Sequence, residues 1–348
     1  MNKPSFESDY NNGAHPEVLR RLLETNGVTS QSYGADEWSE SARRRIREAC
    51  ESPEADIFFL VGGTQANATV IDALLKPYQA VIAVETAHIN VHESGAIEGC
   101  GHKVITLPSH EGRMEAADLE AWLQRFFADP TWEHMAVPGM VYITMPTELG
   151  TLYDKASLGA IAGVCRRFGL SLFVDGARLG YGLSAEGCDV SLPWLASQCD
   201  AFYIGGTKVG ALCGEAVVFP SGAPQGFFTH IKAHGALLAK SRLAGVQFDA
   251  LFSDHLYFRI SRHAIDMAMR LRDIFTEAGI EIYPSPTNQQ FVVLTNEQKD
   301  RLMTEVAFET WEPIDKGRTL CRFVTSWATT EADLEALRCA LRWLRAKG

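Results

Sequence analysis

From about Glu54 onward, short apolar runs alternate with amphipathic segments, and that alternation narrows the architectures open to this chain more than any other feature of it. DIFFLVGG is followed by TQANATVIDALL, AVIAVET, a glycine-rich stretch, KVITL and ADLEAWLQRFF; then come MVYITMP, KASLGAIAGVCRRFG, LSLFVDG and AFYIGG. Each apolar run ends in turn residues, as strands buried on both faces of a parallel sheet do, and the amphipathic segments between them read as crossover helices. The rhythm predicts an α/β chain with a mostly parallel central sheet. After SRLAGVQFDALF the pattern shifts to a long helix, HAIDMAMRLRDIFTEAG, the strands IEIYP, QQFVVLT and RFVTSW, and a terminal helix, ADLEALRCALRWLRA. At 348 residues the chain exceeds the usual size of one core. We read residues 1–20 as an N-terminal arm, 21–249 as a large domain and 250–348 as a smaller C-terminal α/β domain.

Composition excludes several classes. With 46% hydrophobic and 22% charged residues there is ample apolar material for a core, so disorder is excluded. The formal charge of -11 and the lack of any basic run argue against a nucleic-acid partner. MNKPSFESDYNNG lacks a signal-like apolar stretch, and no segment approaches the roughly 20 apolar residues needed to span a bilayer, so a cytoplasmic protein without a membrane partner is expected. The eight cysteines show no C-x-x-C pair and read as reduced thiols.

Three motifs sit where open α/β sheets place ligands, just beyond the carboxyl ends of strands. Gly62-Gly63-Thr64-Gln65-Ala66-Asn67 joins an apolar run to a helix-forming stretch. A helix N-terminus there offers free N–H groups to a phosphate, although a Gly-Gly-Thr turn also serves packing alone. Asp175 directly follows the strand LSLFV and can hold a positive charge at the sheet end or cap the following helix; Arg178 lies three residues on. Lys208, in AFYIGGTKVGAL, lies among glycines after another apolar strand. Desolvation there would free its amine to attack an aldehyde, the alternative being a lysine that snorkels from a strand end.

A phosphate cup, an acid and a buried lysine in that order are the protein side of pyridoxal 5'-phosphate binding: the acid keeps the pyridinium nitrogen protonated, so the ring can absorb the electrons of a broken bond. His88, in AVIAVETAHINVHESGA, also follows an apolar strand and could stack on such a ring. His88 and His92 raise a zinc reading, but the H-E-x-x-H order is missing and no third ligand is near in sequence, so no metal is expected.

FESDYNNGAHPEVL, SYGADEW, GGTQAN, ETAHINVHESGAIE, FVDGARLGYGL, YIGGTKVGALCGEAVVF, GALLAKSRLAGVQF and RFVTSWAT together make the chain resemble the low-specificity L-threonine aldolases, in the beta-eliminating lyase and threonine aldolase group of fold type I pyridoxal phosphate enzymes. The resemblance implies the transferase-like fold of that group and aldol cleavage of L-β-hydroxy-α-amino acids to glycine and an aldehyde. It implies that Lys208 is the Schiff-base lysine, Asp175 the pyridinium partner, His88 the stacking imidazole, and Gly63, Thr64 and Gln65 the phosphate cup. Ser8, Arg178 and Arg322 would hold the substrate carboxylate, a task that suits the arginine fork. It also implies a homodimer or homotetramer with shared sites, to which segments bearing Tyr33, Lys232 and Lys240 would contribute substrate and cofactor contacts; plain surface positions are the alternative for these three.

One departure stands out: where many relatives carry a histidine near the substrate hydroxyl, this chain reads Met145-Pro146-Thr147-Glu148-Leu149-Gly150. The base for the β-hydroxyl proton is therefore open among His88, Glu148 and a held water. Transamination, β-elimination and racemisation share the same cofactor and stand as alternatives, and a non-catalytic cofactor-binding module is a further one.

Overall fold

The computed structural model describes residues 3–345; the ends of the arm and of the C-terminal domain expected above lie outside them. Two helices, α1 (Pro16–Thr25) and α2 (Glu37–Ala49), precede strand β1 (Asp56–Leu60). Alternation follows: α3 (Gly63–Leu74), β2 (Gln79–Val84), α4 (His88–Val91), α5 (Ala96–Gly99), β3 (Val104–Leu107), α6 (Ala116–Ala128), β4 (Val137–Thr144), α7 (Lys155–Phe168) and β5 (Ser171–Asp175). Next come α8 (Leu179–Ser184), α9 (Leu192–Gln198), β6 (Ala201–Gly205), β7 (Glu215–Phe219), α10 (Phe227–Ala233) and α11 (Arg242–Leu251). The C-terminal part comprises α12 (Leu256–Glu277), β8 (Glu281–Tyr283), β9 (Gln289–Thr295), α13 (Asn296–Leu302), β10 (Glu309–Pro313), β11 (Arg318–Val324), α14 (Glu331–Ala340) and α15 (Arg342–Arg345).

The first sheet has seven strands in the order β1-β7-β6-β5-β4-β2-β3. β3, β2, β4, β5 and β6 pair in parallel, while β7 runs antiparallel to both β6 and β1. Because β7 reverses twice over, β1 points the same way as the parallel strands, and β1, β2, β5 and β6 all end at one edge. The second sheet is antiparallel, β10-β11-β9-β8. Two of these strands were not expected from the apolar pattern. EAVVF opens on a buried carboxylate after a glycine-rich turn, and ETWEP is a largely exposed edge strand with two glutamates, so neither stands out as an apolar run.

Local chemistry sets the helix limits. Asp154 and Ser157 form a reciprocal capping box at the start of α7, and Gly169, at φ 66, ends it in the left-handed conformation that favours glycine. α12 starts at Leu256, seven residues ahead of the expected HAIDM segment, and buries Ile260, Ala264, Ala268, Leu271 and Phe275 along one face. Residue 250 falls inside α11, and α12 is shared: its first half, through Ile265, packs in the core of the large sheet and its second half in the C-terminal core. The arm is part of the C-terminal layer: Phe6 is fully buried with Phe275, Phe308 and Phe323. Its N–H donates to the Ala307 carbonyl and its own carbonyl accepts from Val324, both at 2.8 Å.

Buried Asp249 on α11 gathers the two leading helices, accepting from Arg45 on α2 at 3.0 Å and from Arg21 on α1 at 3.3 Å. Beside it Gly245 lets α11 close on α2, since a Cβ there would lie 2.1 Å from Ser39 Oγ and 2.7 Å from Ser39 Cα. Relief requires a backbone shift, for which overpacking typically costs about 1–3 kcal/mol. Gly245→Ala is therefore expected to lower the thermal unfolding midpoint; an unchanged midpoint would mean that the two helices separate freely.

Candidate active site

The edge at which β1, β2, β5 and β6 end opens onto a cleft of about 290 Å³ lined by Gly62, Gly63, Thr64, His88, Glu148, Asp175, Arg178, Lys208 and Glu215. A second cleft of about 280 Å³ adjoins it, sharing Tyr10, His88, Glu148, Arg178 and Lys208 and adding Arg322. The β6–β7 turn that presents Lys208 is closed by Gly206 and Thr207 N–H groups donating to the Gly214 carbonyl at 2.9 and 3.1 Å, and by the Thr207 hydroxyl accepting from Gly214 N–H at 3.0 Å. The Lys208 side chain is half-buried, with Nζ 5.9 Å from the centre of the Tyr10 ring. Desolvation pulls its amine below the ordinary lysine value, and the charge of Arg178 adds to that.

Asp175 ends β5 fully enclosed. Its Oδ2 accepts from the Tyr142 hydroxyl at 2.5 Å and from Asn67 Nδ2 at 3.1 Å, and its Oδ1 accepts from the Ala177 N–H at 2.9 Å. Burial alone would raise this carboxyl, but the donors, Tyr142 and Tyr203 foremost, outweigh it and hold the group ionised below its usual range. Asn67 also donates to Glu93 Oε1 at 2.8 Å, and the same oxygen meets His88 Nδ1 at 2.7 Å. A carboxylate at that distance accepts from Nδ1 and so fixes the orientation of the imidazole.

α3 begins at the cup. No side chain caps it, and Ala66 is the first of its residues to donate back, to Gly62 at 3.0 Å, so the N–H groups of Gly63, Thr64 and Gln65 are left for an anion. The Gln65 side chain turns away from the cleft, its Oε1 accepting from Val61 N–H at 3.3 Å, so only its backbone serves the cup. The set of groups, a buried ionised carboxylate, a desolvated lysine and an uncapped helix start, fits pyridoxal 5'-phosphate.

Glu148 is buried between the two clefts. Its Oε1 accepts from His88 N–H at 2.9 Å and from the Thr144 hydroxyl at 2.8 Å, while Oε2 is buried without a partner; desolvation raises the carboxyl above its ordinary value. Arg178 is held by Asp9, through Nε to Oδ2 at 2.7 Å and Nη2 to Oδ1 at 3.0 Å. Arg322, from β11, donates to Gln289 at 2.8 Å and to Glu309, and lies 4.7 Å from the centre of the Trp311 ring. Burial and nearby Arg178 make its charge costly, as expected of two guanidinium groups set for one anion.

Not every expected residue lines these clefts. Ser8 sits in a neighbouring hollow with Glu7, Asn11 and Glu309. Tyr33 and Lys232 pair apart from it, Nζ 5.3 Å from the ring centre, and Lys240 lies by Leu243 and Arg242. Two residues were missed. Asp9 is only one polar residue in a polar arm, and its partner is 169 residues away. Glu215 opens the unexpected strand β7, accepts from Gly206 N–H at 3.1 Å, and is pushed by burial up to about 8.

The beta-eliminating lyase family model matches residues 6–306. A low specificity L-threonine aldolase from a Pseudomonas species is 31% identical over 344 residues, 97% of this chain and 96% of that protein. Another from Pseudomonas aeruginosa is 30% identical over 347 residues, 98% and 96% of the two chains. Among solved structures, a threonine aldolase from Leishmania major superposes with a TM-score of 0.92 at 38% identity, covering 98% of this chain and 99% of that one. An aspartate aminotransferase from Thermus thermophilus shares the fold at 17% identity, with a TM-score of 0.67 over 99% and 92% of the chains.

Between its ordinary 4.5 and about 8, Glu215 keeps in the folded chain a proton that the unfolded chain releases, so its contribution to stability falls as pH rises through that window. Lys208, lowered from 10.5, acts in the opposite sense. In the cofactor-free protein, Glu215→Gln should therefore lose less stability than the parent across that window; parallel melting curves in the two proteins would place the titrating proton elsewhere.

Proposed function

The chain belongs to the beta-eliminating lyase family, and from its likeness there to the low-specificity L-threonine aldolases we infer that it cleaves L-threonine, L-allo-threonine and related L-β-hydroxy-α-amino acids, reversibly, to glycine and an aldehyde. The observation that carries this reading is the convergence of Lys208, Asp175, Arg178, Arg322 and Glu148 on two adjoining clefts. Lys208 would hold the aldehyde of pyridoxal 5'-phosphate, Asp175 its ring nitrogen, and the N–H groups of Gly63, Thr64 and Gln65 its phosphate, with His88 against the ring. When bound, that cofactor supplies an electron sink conjugated to the substrate's α-carbon.

The rest falls to the chain. Arg178 and Arg322 grip the substrate carboxylate, and a fixed carboxylate fixes which bond at the α-carbon stands ready to break. Arg178 can do this because Asp9 occupies one edge of its fork and locks its direction. Glu148 takes the β-hydroxyl proton on Oε2, the oxygen without a partner. Its raised affinity for protons brings it toward neutral pH, where a general base works best. His88, its imidazole oriented through Glu93, stabilises the ring side of the cleft. The distance of Tyr33, Lys232 and Lys240 from this cleft supports a homodimer or homotetramer in which they serve a neighbouring subunit. No described helix is long and apolar enough to cross a membrane, and every cysteine is free, which supports a cytoplasmic setting.

Incubation with L-threonine should release acetaldehyde and glycine; 2-oxo acid or ammonia without aldehyde would overturn the aldolase reading. Lys208→Ala should lose the visible absorbance of the bound cofactor. Glu148→Gln should retain that absorbance while kcat falls by about 10²–10⁴; full activity would assign the proton to His88 or a water. Arg322→Leu should raise KM for L-threonine about 10–100-fold, the worth of a hydrogen bond to a charged group.

A further inference from the structure

Among the described residues, one group of side chains suited to a metal converges away from the clefts: Asp72 on α3, His230 on α10 and His234, which caps the end of α10. The two histidines are one helical turn apart and share a face. His230 Nδ1 lies 3.0 Å and His234 Nε2 2.9 Å from the same oxygen, Asp72 Oδ2, and the three ligand atoms all fall within 4.8 Å of one another. For tetrahedral zinc with bonds of about 2.0–2.1 Å, neighbouring ligand atoms stand about 3.4 Å apart, so small side-chain shifts suffice.

A third imidazole points to the same place. His102 is 3% exposed, and its Nδ1 meets the Gln79 carbonyl oxygen at 3.0 Å. A carbonyl only accepts, so Nδ1 donates to it, and the ring points Nε2 toward Asp72 Oδ1, 3.5 Å away. An imidazole whose far nitrogen donates to a backbone carbonyl is also how metal-bound histidines are oriented.

We propose that Asp72, His230 and His234 bind one divalent transition-metal cation of the zinc class, with His102 beside them as the fourth donor. Imidazole with a single carboxylate suits zinc over magnesium or calcium, which prefer all-oxygen sets. The side chains of Asp72, His230 and His234 are each partly open to solvent, which provides an entry path. The cation would clamp α10 to α3, the helix whose first turn forms the phosphate cup, and its role is structural and independent of the aldolase reading.

The test uses the cofactor-loaded enzyme stripped with a chelator and dialysed. Titration with Zn²⁺ alone should show one equivalent bound per chain and a rise in the thermal midpoint. The H230A/H234A double variant should lose that equivalent and that rise while keeping the cofactor absorbance and aldehyde release. Asp72→Asn, a near-isosteric change, guards against misfolding and should lose the equivalent as well, and His102→Ala should weaken binding about 10–100-fold. Co²⁺ in the parent should give the intense ligand-field bands of a tetrahedral N/O site. Equal Zn²⁺ uptake by the parent and both ligand variants, or no uptake by the parent, would overturn the proposal.

Discussion

A carboxylate cannot lie inside a protein without partners, and Asp9 has them from two distant parts of the chain. Arg178, just past β5, gives it two hydrogen bonds, and Asn288, just before β9, gives a third at 2.9 Å. Burial would raise this carboxyl, yet the charges of Arg178 and Lys208 hold it below its usual range. An ion pair in such a setting is strongly destabilising to break from one side, because the survivor stays buried and unpaired. The arm, the large sheet and the small sheet thus meet at one charged contact, and the direction of Arg178 is set by all three.

A second set of contacts works on the same principle. Asn67 bridges Asp175 and Glu93, and Glu93 meets His88. One neutral amide therefore holds apart two carboxylates, one that closes the end of β5 and one that meets the imidazole. Asn67 Oδ1 and Glu93 Oε2 are buried without partners, which leaves this network under-satisfied. Networks of this kind are rigid when filled and costly when not.

Much of this was legible in the residues alone, for a physical reason. Asp175, Lys208 and His88 each follow an almost wholly apolar run, so the strand end and the chemical group lie within a few residues of each other, and the parallel order of the sheet gathers them. Gly63 and Thr64 are read the same way. What stayed hidden depends on contacts between distant segments. Asp9 and Asn288 are 279 residues apart, and nothing local marks either one. Glu215 was hidden because β7 opens on a charge, and the antiparallel return of β7 against β6 is what brings that charge beside Lys208. The side chain of Gln65 folds back on the preceding turn, its Oε1 accepting from Val61 N–H, a contact that the motif by itself does not reveal. Tyr33, Lys232 and Lys240 stand outside the clefts of their own chain.

The burial of Phe6 against Phe323, with the Phe6 carbonyl accepting from Val324, ties the arm to β11 across more than 300 residues of chain. On the ribosome the large sheet can assemble as soon as β7 has emerged, but the arm has nowhere to dock until β11 is complete. Asp9 can meet Arg178 and Asn288 together only once the C-terminal layer has formed, so the nascent chain passes through a stage with a formed sheet and an undocked arm. The arm serves as a closing latch: the shared contact of Asp9 is completed only in a chain whose C-terminal layer has already folded.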